Sequence, residues 1–401
     1  MNEILIINQQ YAPETAATGQ VFQALAEELA ARGETVSVIC GRPFYPGGTA
    51  RVAEREVIGG VSVRRLWNTT YPKSSVKGKL FNQLTFMLSV LIFALSSIKK
   101  NQTALVTTAP PLCVVCLAIA RRLRGFDLVL SVQDLYPDIL AAAGRLRPNS
   151  VIYRLLRRAM AWGMQTCRGV AAISTDMARH LRLFYGLSGV SMIPNPSVNS
   201  IRSIPFGMAK AERGWVDKFV VQYSGNFGEA HEYKTLLSVM RKLRDHPGIL
   251  FHIAGGGAHY ELLKKESLEG NDGLPNVVFE GYAELSALDR RLSAADISLV
   301  IFDAAFRDVL LPSKYVGILA SGRPVLLISG AVSDISRDLR REGAGLHFDH
   351  GESDAIANAL VELADHPSRV HSMGAKARAL YERSYLNDSI FTSYQRLLRG
   401  V

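Results

Sequence analysis

The residue types best suited to chemistry sit just after apolar runs. Lys314 follows Leu310, Leu311, Pro312 and Ser313, a short way beyond the apolar run Ile297–Ile301. Proline suits a first helical turn and serine can cap free amides, so a helix start is predicted there. Gly322 is expected to end that helix, and Val325–Ile328 to form the next strand. A helix start at the carboxyl end of a parallel strand offers unpaired N–H groups to an anion. Lys314 adds a full positive charge, which is chemistry for holding a phosphate. The same pattern also fits a plain strand–helix–strand unit with a surface lysine.

Two glycine turns have a related use. Gly225-Asn226-Phe227-Gly228 follows the run Phe219–Tyr223, and Gly255, Gly256 and Gly257 follow Ile249–Ala254. Residues without Cβ let a backbone approach a ligand closely. The glycines near 225, and a helix expected from about Glu232, could offer amides to phosphate. The G-x-G-x-x-G spacing is absent, so this is not a dinucleotide fingerprint. Asp134 follows the run Leu128–Val132; its carboxylate either meets a ligand or caps a helix over 136–141. No Asp-x-Asp pair stands in a suitable place, so no metal is expected. His347-Phe-Asp349-His350 has ligand residue types but reads as an exposed turn.

The elements that must hold these residues follow from periodicity. Glu3–Asn8 is an apolar run, an amphipathic helix is predicted over about 20–32, and Thr35–Cys40 is the next strand. A strand–loop–helix–strand start argues for a doubly wound α/β sheet. Further strands are predicted at Val61–Leu66, Ala104–Thr108, Leu128–Val132, Val170–Ile173 and Val190–Ile193. Pro194-Asn-Pro-Ser197 and the polar stretch to about Asp217 suggest a boundary. A second series follows, with strands at 219–223, 249–254, 277–279, 297–301, 325–328 and 345–348, then two helices over about 367–400. Two Rossmann-like domains result, 1–200 and 216–385, with a last helix at about 386–401 expected to pack back on the first. Their sheets are expected to face a central cleft, where ligands of such sheets bind.

Composition adds bounds. The 401 residues suit two or three domains, and 48% hydrophobic with 20% charged is ordinary for a globular protein. The net charge of +10 is unevenly spread: residues 1–200 hold 22 Lys+Arg against 11 Asp+Glu, and residues 201–401 hold 24 against 25. A basic first half suits nucleic acid, an anionic membrane surface or a phosphorylated acceptor. Basic residues are scattered through helices without interleaved aromatics, which argues against nucleic acid. Cys113 and Cys116 have redox spacing but lie in an apolar run, so Cys40, Cys113, Cys116 and Cys167 are expected to be inert thiols in a reducing cytosol. The chain opens directly on a strand, with no signal peptide expected. Leu80–Ile98 carries no charge and is flanked by Lys77, Lys79, Lys99 and Lys100. It approaches the ~20 residues of a bilayer span. Its polar residues leave three readings open: a buried helix, a helix lying on a membrane, or a span.

Four stretches together resemble the GT-B glycosyltransferases of sequence family 4, in their bacterial exopolysaccharide, O-antigen and colanic-acid branch. They are Tyr11-Ala-Pro-Glu14 with Thr18-Gly19, Val132-Gln-Asp-Leu-Tyr-Pro137, Tyr223-Ser-Gly-Asn-Phe-Gly228, and Pro312-Ser-Lys314 with Ala320-Ser-Gly-Arg-Pro-Val325. The resemblance implies a retaining hexosyltransferase moving a sugar from a nucleotide donor, UDP-linked by branch, to a lipid-linked or saccharide acceptor. It implies no cofactor, front-face attack, and closure of the domains to exclude water. By resemblance Gly19 admits the donor diphosphate, though a plain turn glycine is the alternative. Gly225, Asn226, Gly228, His231, Gly255 and Gly256 line the donor site, and Tyr282 stands on the base side or is structural. Asp134 meets sugar hydroxyls, and Glu14 is a weaker acceptor-side candidate or a solvated acid. Two family glutamates are missing, because Val309 and Gly317 occupy their positions. Asn226 and His231 replace the usual Arg and Lys. Backbone amides of Leu310–Ser313 are then expected to read the sugar. Lys314 and Arg307 are left to neutralise the diphosphate, Arg307 being equally a solvated loop residue. The acceptor is expected at the cytoplasmic membrane face, touched by the basic first domain. A sugar-nucleotide 2-epimerase of similar fold and a non-catalytic basic interaction protein are the alternatives.

Overall fold

A computed structural model describes residues 3–14, 16–43, 52–72, 75–197, 201–228, 231–268 and 273–401. The chain divides into two compact units. The first comprises Met1–Val198, Asp308–Leu310 and Asn387–Val401; the second comprises Asn199–Arg307 and Leu311–Leu386. Both are α/β.

The first unit holds β1 (Ile4–Ile7), β2 (Val36–Gly41), β3 (Arg55–Ile58), β4 (Val61–Leu66), β5 (Thr103–Thr107), β6 (Asp127–Val132), β7 (Gly169–Ala172) and β8 (Val190–Met192). Their order is β3-β4-β2-β1-β5-β6-β7-β8. All pairs are parallel except β3 with β4. β1 and β5 are fully buried, as strands covered on both faces must be, which is why they read as continuous apolar runs. The strand missing from the expectation is β3. Its Arg-Glu-Val-Ile sequence has no apolar run, but Gly59-Gly60, both at positive φ, forms the turn of a hairpin. The first helix spans Ala17–Ala31, starting three residues earlier than expected. The last helix, Asn387–Arg399, packs on this unit, with the Tyr394 hydroxyl 2.8 Å from Ser131 Oγ, both buried.

The long apolar segment is helix Val76–Ser97. It passes the length and composition test for a membrane span. One face is nonetheless committed to the unit. Phe86, Val90, Ala94 and Ile98 are fully buried, and the helix packs on helix Cys113–Arg124 and on β4. The buried face fits neither a span nor a wholly buried helix, since Leu80, Phe81, Leu84, Leu88 and Ile92 are exposed. Cys113 is buried, and burial raises the Cys40 and Cys167 thiols to about 12, so both stay protonated.

The second unit is a parallel sheet ordered β11-β10-β9-β12-β13-β14. Its strands are β9 (Phe219–Asn226), β10 (Ile249–Gly256), β11 (Val277–Glu280), β12 (Ile297–Phe302), β13 (Val325–Ser329) and β14 (Gly345–Phe348). The strand order reverses between β9 and β12, and the crevice outside that point is where such sheets take ligands. The polar stretch to Asp217 is not a free linker. Ile201 is buried beside Leu292, and Lys210 pairs with Asp296 at 2.7 Å, so this segment belongs to the second unit. Arg323 is its most buried cation. It donates to the carbonyls of Ala295, Ser293 and Ile204 at 2.8–2.9 Å, and to Ser321 at 3.1 Å. Its guanidinium also stacks 3.9 Å from the Phe206 ring centroid.

Candidate functional site

The glycine turns stand at the carboxyl ends of β9 and β10, and their register sets Gly255 opposite Gly225 and Gly256 opposite Asn226. Gly225, Gly255 and Gly257 have φ of +136, +135 and +126°. A Cβ on Gly255 would lie 1.9 Å from the Gly225 carbonyl oxygen, so no other residue fits. Phe227 N–H donates to Gly256 O at 2.7 Å, and His259 N–H to Phe227 O at 3.0 Å, which closes the turns on each other. Gly228 is half-buried at the end of the first turn.

Lys314 opens helix Lys314–Ala320 beside these turns. A Cβ on Gly225 would lie 3.6 Å from Lys314 Cε. The ammonium donates to the Tyr223 hydroxyl, lies 4.0 Å from the Tyr223 ring centroid, and is 3.0 Å from His231 Nε2. His231 Nδ1 is 3.1 Å from the Gly228 carbonyl oxygen, which can only accept. Nδ1 therefore carries the hydrogen, and Nε2 accepts from Lys314. Burial, then the Lys314 charge, pushes His231 down to about 3, so it is neutral near pH 7. His231, which by resemblance stands in place of a cation, thus supplies none; it orients Lys314. Burial pushes Lys314 itself down to about 7. No carboxylate pairs with it among the described residues.

Of the two helix starts expected to offer amides, one is already filled by a side chain and the other is uncapped. Ser313 is exposed, takes helical geometry and makes no capping bond. That helix has seven residues, so the Lys314 charge outweighs its dipole. The helix expected near Glu232 spans Lys234–Lys242, and the Glu232 carboxylate already accepts from the N–H groups of Lys234 (2.7 Å) and Thr235 (3.0 Å). Asn226 is exposed, and its carbonyl accepts from the Tyr223 hydroxyl at 2.7 Å. Leu310 and Leu311 are half-buried and Pro312 is buried, on the loop leading into Lys314. Arg307 closes the turn Ala304–Phe306 and is half-buried.

Tyr282 follows β11 and is 64% exposed. Its ring lies over Gly256, where an added Cβ would be 3.0 Å from Tyr282 Cε2. The turn that carries it is anchored by a network invisible in the sequence. Glu280 pairs with Arg213 at 2.7 Å and Arg291 at 3.3 Å, and Arg291 also donates to Gly281 O at 2.6 Å. Burial alone would raise Glu280, but Arg213 and His252 outweigh it and hold the carboxyl below its ordinary range. The one local sign is that Glu280 lies two residues before Tyr282, in Phe279-Glu-Gly-Tyr282; its partners Arg213 and Arg291 come from distant parts of the chain.

In the first unit, Asp134 follows β6. The Gln133 and Asp134 N–H groups both donate to Thr108 Oγ1, at 3.0 and 3.2 Å. The helix it was expected to cap begins at Asp138 behind Pro137, which takes no side-chain bond, so that role is not seen. Its carboxyl reaches solvent, yet crowding by its surroundings raises its pKa. Glu14 is half-buried on the turn before helix Ala17–Ala31. Gly19 lies inside that helix rather than ending the loop. A Cβ there would be 3.2 Å from Gln10 O, so its own chain already uses the space.

Comparison with known proteins agrees with this geometry. Residues 17–196 match the "Glycosyl transferase 4-like domain" family, and residues 218–366 match "Glycosyl transferases group 1". The probable glycosyltransferase WbjE of Pseudomonas aeruginosa is 24% identical over 79% of each chain. The putative colanic acid biosynthesis glycosyl transferase WcaI of Escherichia coli K12 is 26% identical over 84% of this chain and 85% of its own. Among solved structures, HepE from Anabaena in complex with UDP-glucose superposes with a TM-score of 0.70 at 15% identity, covering all of both chains. These are glycosyltransferase matches, which sets aside the epimerase and interaction-protein alternatives.

Proposed function

This chain belongs to the GT-B glycosyltransferases of family 4, and from that premise we propose that it is a retaining, metal-independent hexosyltransferase in surface polysaccharide assembly. Its donor is a UDP-sugar and its acceptor a lipid-linked saccharide at the cytoplasmic membrane face. The observation that carries the donor reading is Lys314, a half-buried ammonium without a carboxylate partner among the described residues, beside the glycine turns at Gly225 and Gly255. A cation held in that setting gains most from a bound diphosphate. Its electrostatic stabilisation grows as the leaving group takes on charge. Tyr282, over Gly256, is assigned to the base side. The UDP-glucose bound to HepE and the colanic acid assignment of WcaI support donor and pathway class.

In the reaction, the acceptor hydroxyl oxygen forms a bond to the sugar's anomeric carbon as the bond to the donor phosphate oxygen breaks. The hydroxyl proton passes to that phosphate oxygen, on the same face, so configuration is kept. Lys314 balances the diphosphate charge throughout. Asp134 is assigned to sugar or acceptor hydroxyls.

Calorimetry with UDP, GDP, ADP and TDP, with and without EDTA, tests this. UDP should bind tightest and EDTA should change nothing, after which UDP-hexoses are screened for transfer. No nucleotide binding, or binding abolished by EDTA, overturns the reading.

A further inference from the structure

The first unit carries a pocket of about 250 Å³ whose residues have no part in the donor site. Arg64 and Trp67 line it from β4 and its end, Ser89, Phe93 and Ser96 from helix Val76–Ser97, and Arg42 from the end of β2. Arg64 is the informative residue. Its Nε is buried without a hydrogen-bond partner, and its guanidinium lies 5.1 Å from the Phe93 ring centroid. No carboxylate pairs with it among the described residues. The adjacent Arg65 shows the contrast: it is tied to Ala12 O, Ala53 O and Glu56. The β3–β4 register also places Arg55 directly opposite Arg64, a like-charge pair that an anion would relieve. The Ser89 and Ser96 hydroxyls on the pocket wall already donate to the carbonyls of Trp67 and Phe93, so the free donor there is on Arg64, and an unpaired buried donor on a cation is a site for an anion.

The pocket opens onto apolar surface. Leu80, Phe81, Leu84, Leu88 and Ile92 form one stripe at helical spacing, each 46–60% exposed, and Ile92 also lines the pocket. Trp67 and Tyr71 extend it. Lys77 and Lys79 at one end of the helix, and Lys99 and Lys100 at the other, are exposed. Between Glu56 and Asp127 the sequence has ten Lys+Arg and no acidic residue. An apolar stripe with cations at both ends and a cationic pocket in its flank matches the surface of an anionic lipid layer.

We propose that this face is a docking site for anionic membrane lipid. One headgroup phosphate is held between Arg42 and Arg64, while Leu84, Leu88 and Ile92 enter the acyl boundary. The inference rests on the membrane-side acceptor reading and gives it a location. Glu54, which also lines the pocket, is the one opposing charge there; it weakens the site without cancelling two arginines.

The test is flotation of the full chain with vesicles of phosphatidylcholine alone or with phosphatidylglycerol, together with Trp67 emission. Binding should need phosphatidylglycerol and shift Trp67 emission to the blue, a shift lost in Trp67→Phe. Arg42→Gln with Arg64→Gln should lower partitioning at least tenfold, as should Leu84→Ser with Leu88→Ser, and Glu54→Gln should raise it. UDP calorimetry on every variant checks that the fold is kept. Equal binding to neutral vesicles, or no vesicle binding by a chain that binds UDP, overturns the proposal. So does sn-glycerol 3-phosphate competing at the affinity seen for vesicles, which would make the pocket a site for soluble phosphate. Vesicle binding by a chain that binds no nucleotide would instead overturn the donor reading and leave this one standing.

Discussion

Replacing Lys314 with methionine should stabilise the unliganded protein while destroying donor binding. Burial moves the ammonium from 10.5 to about 7. At 1.36 kcal/mol per pH unit, that is roughly 5 kcal/mol charged against the fold at low pH, an upper bound because water still reaches the side chain. The sign follows from proton counts. Between pH 7 and 10.5 the unfolded chain keeps the lysine proton and the folded chain releases it, so stability rises with pH across that window. Below pH 7 both states are charged and the full penalty stands. Lys314→Met removes it, but leaves Tyr223 and His231 Nε2 without their partner, a loss of about 1–3 kcal/mol. A net gain of about 2 kcal/mol at pH 6, several degrees in melting temperature, should vanish by pH 10. Binding runs the other way. At pH 8 only about a tenth of the unliganded lysines are charged, so UDP should take up close to one proton, and its Kd should rise about tenfold per pH unit between 7 and 9. The nucleotide phosphate, with a second pKa near 6, is already ionised in that window. Calorimetry in two buffers of different ionisation enthalpy counts the protons. A wild-type affinity flat from pH 7 to 9, or a wild-type melting temperature that falls as pH rises from 7 to 10, would refute the reasoning.

Arg323→Met strands the carbonyls of Ser293, Ala295 and Ile204 in the core. It should cost at least about 3 kcal/mol in urea unfolding, with Arg323→Lys rescuing little because an ammonium cannot span the same carbonyls. Asp138 accepts from the Tyr153 hydroxyl at 3.0 Å and from Tyr185, and lies 3.1 Å from His180 Nε2. Burial opposes its charge, but these bonds outweigh burial and hold its carboxyl below the ordinary range. Its contribution is therefore present above that range and lost as pH falls through the lowered value. Asp138→Asn should cost about 1–3 kcal/mol at pH 7, with the gap to wild type closing in acid melts.

The strands were legible wherever both faces are covered, because burial on both sides demands unbroken apolar runs such as Ile4–Ile7 and Ile297–Phe302. β3 was not, since an edge strand such as Arg55–Ile58 has no buried face to enforce a pattern. The segment after Ile201 reads as a linker because its anchors are scattered single contacts without a period: Ile201, the Lys210–Asp296 and Arg213–Glu280 pairs, and Ile204 O and Phe206 on Arg323. The glycine turns and the helix start at Lys314 were legible, because their local spacing fixes a turn. Its electrostatics were not. Whether His231 is a cation or an acceptor depends on the Gly228 carbonyl and on burial, and whether a helix offers free amides depends on Glu232 having filled them.

The two missing family glutamates fit this arrangement. By resemblance, the family sets two acids and two further cations around its donor, whereas this chain has Val309, Gly317, Asn226 and His231 at those positions. Val309 is buried in the first unit, but Gly317 is half-buried, and a Cβ there would make only an ordinary 3.7 Å contact with Leu292. Position 317 lies three residues after Lys314 on one helix, and helical side chains lean toward the N-terminus. A glutamate there would reach back to the ammonium. Gly317→Glu should therefore raise the Lys314 pKa, flatten the pH dependence of UDP binding between 7 and 9, and weaken that binding near pH 7 by neutralising the diphosphate's counter-charge. If the variant instead bound UDP more tightly with the pH profile unchanged, position 317 would be reading the ribose, as in the family. With no glutamate there, Lys314, which meets no carboxylate among the described residues, would do alone what by resemblance is divided between cations that must also answer two acids.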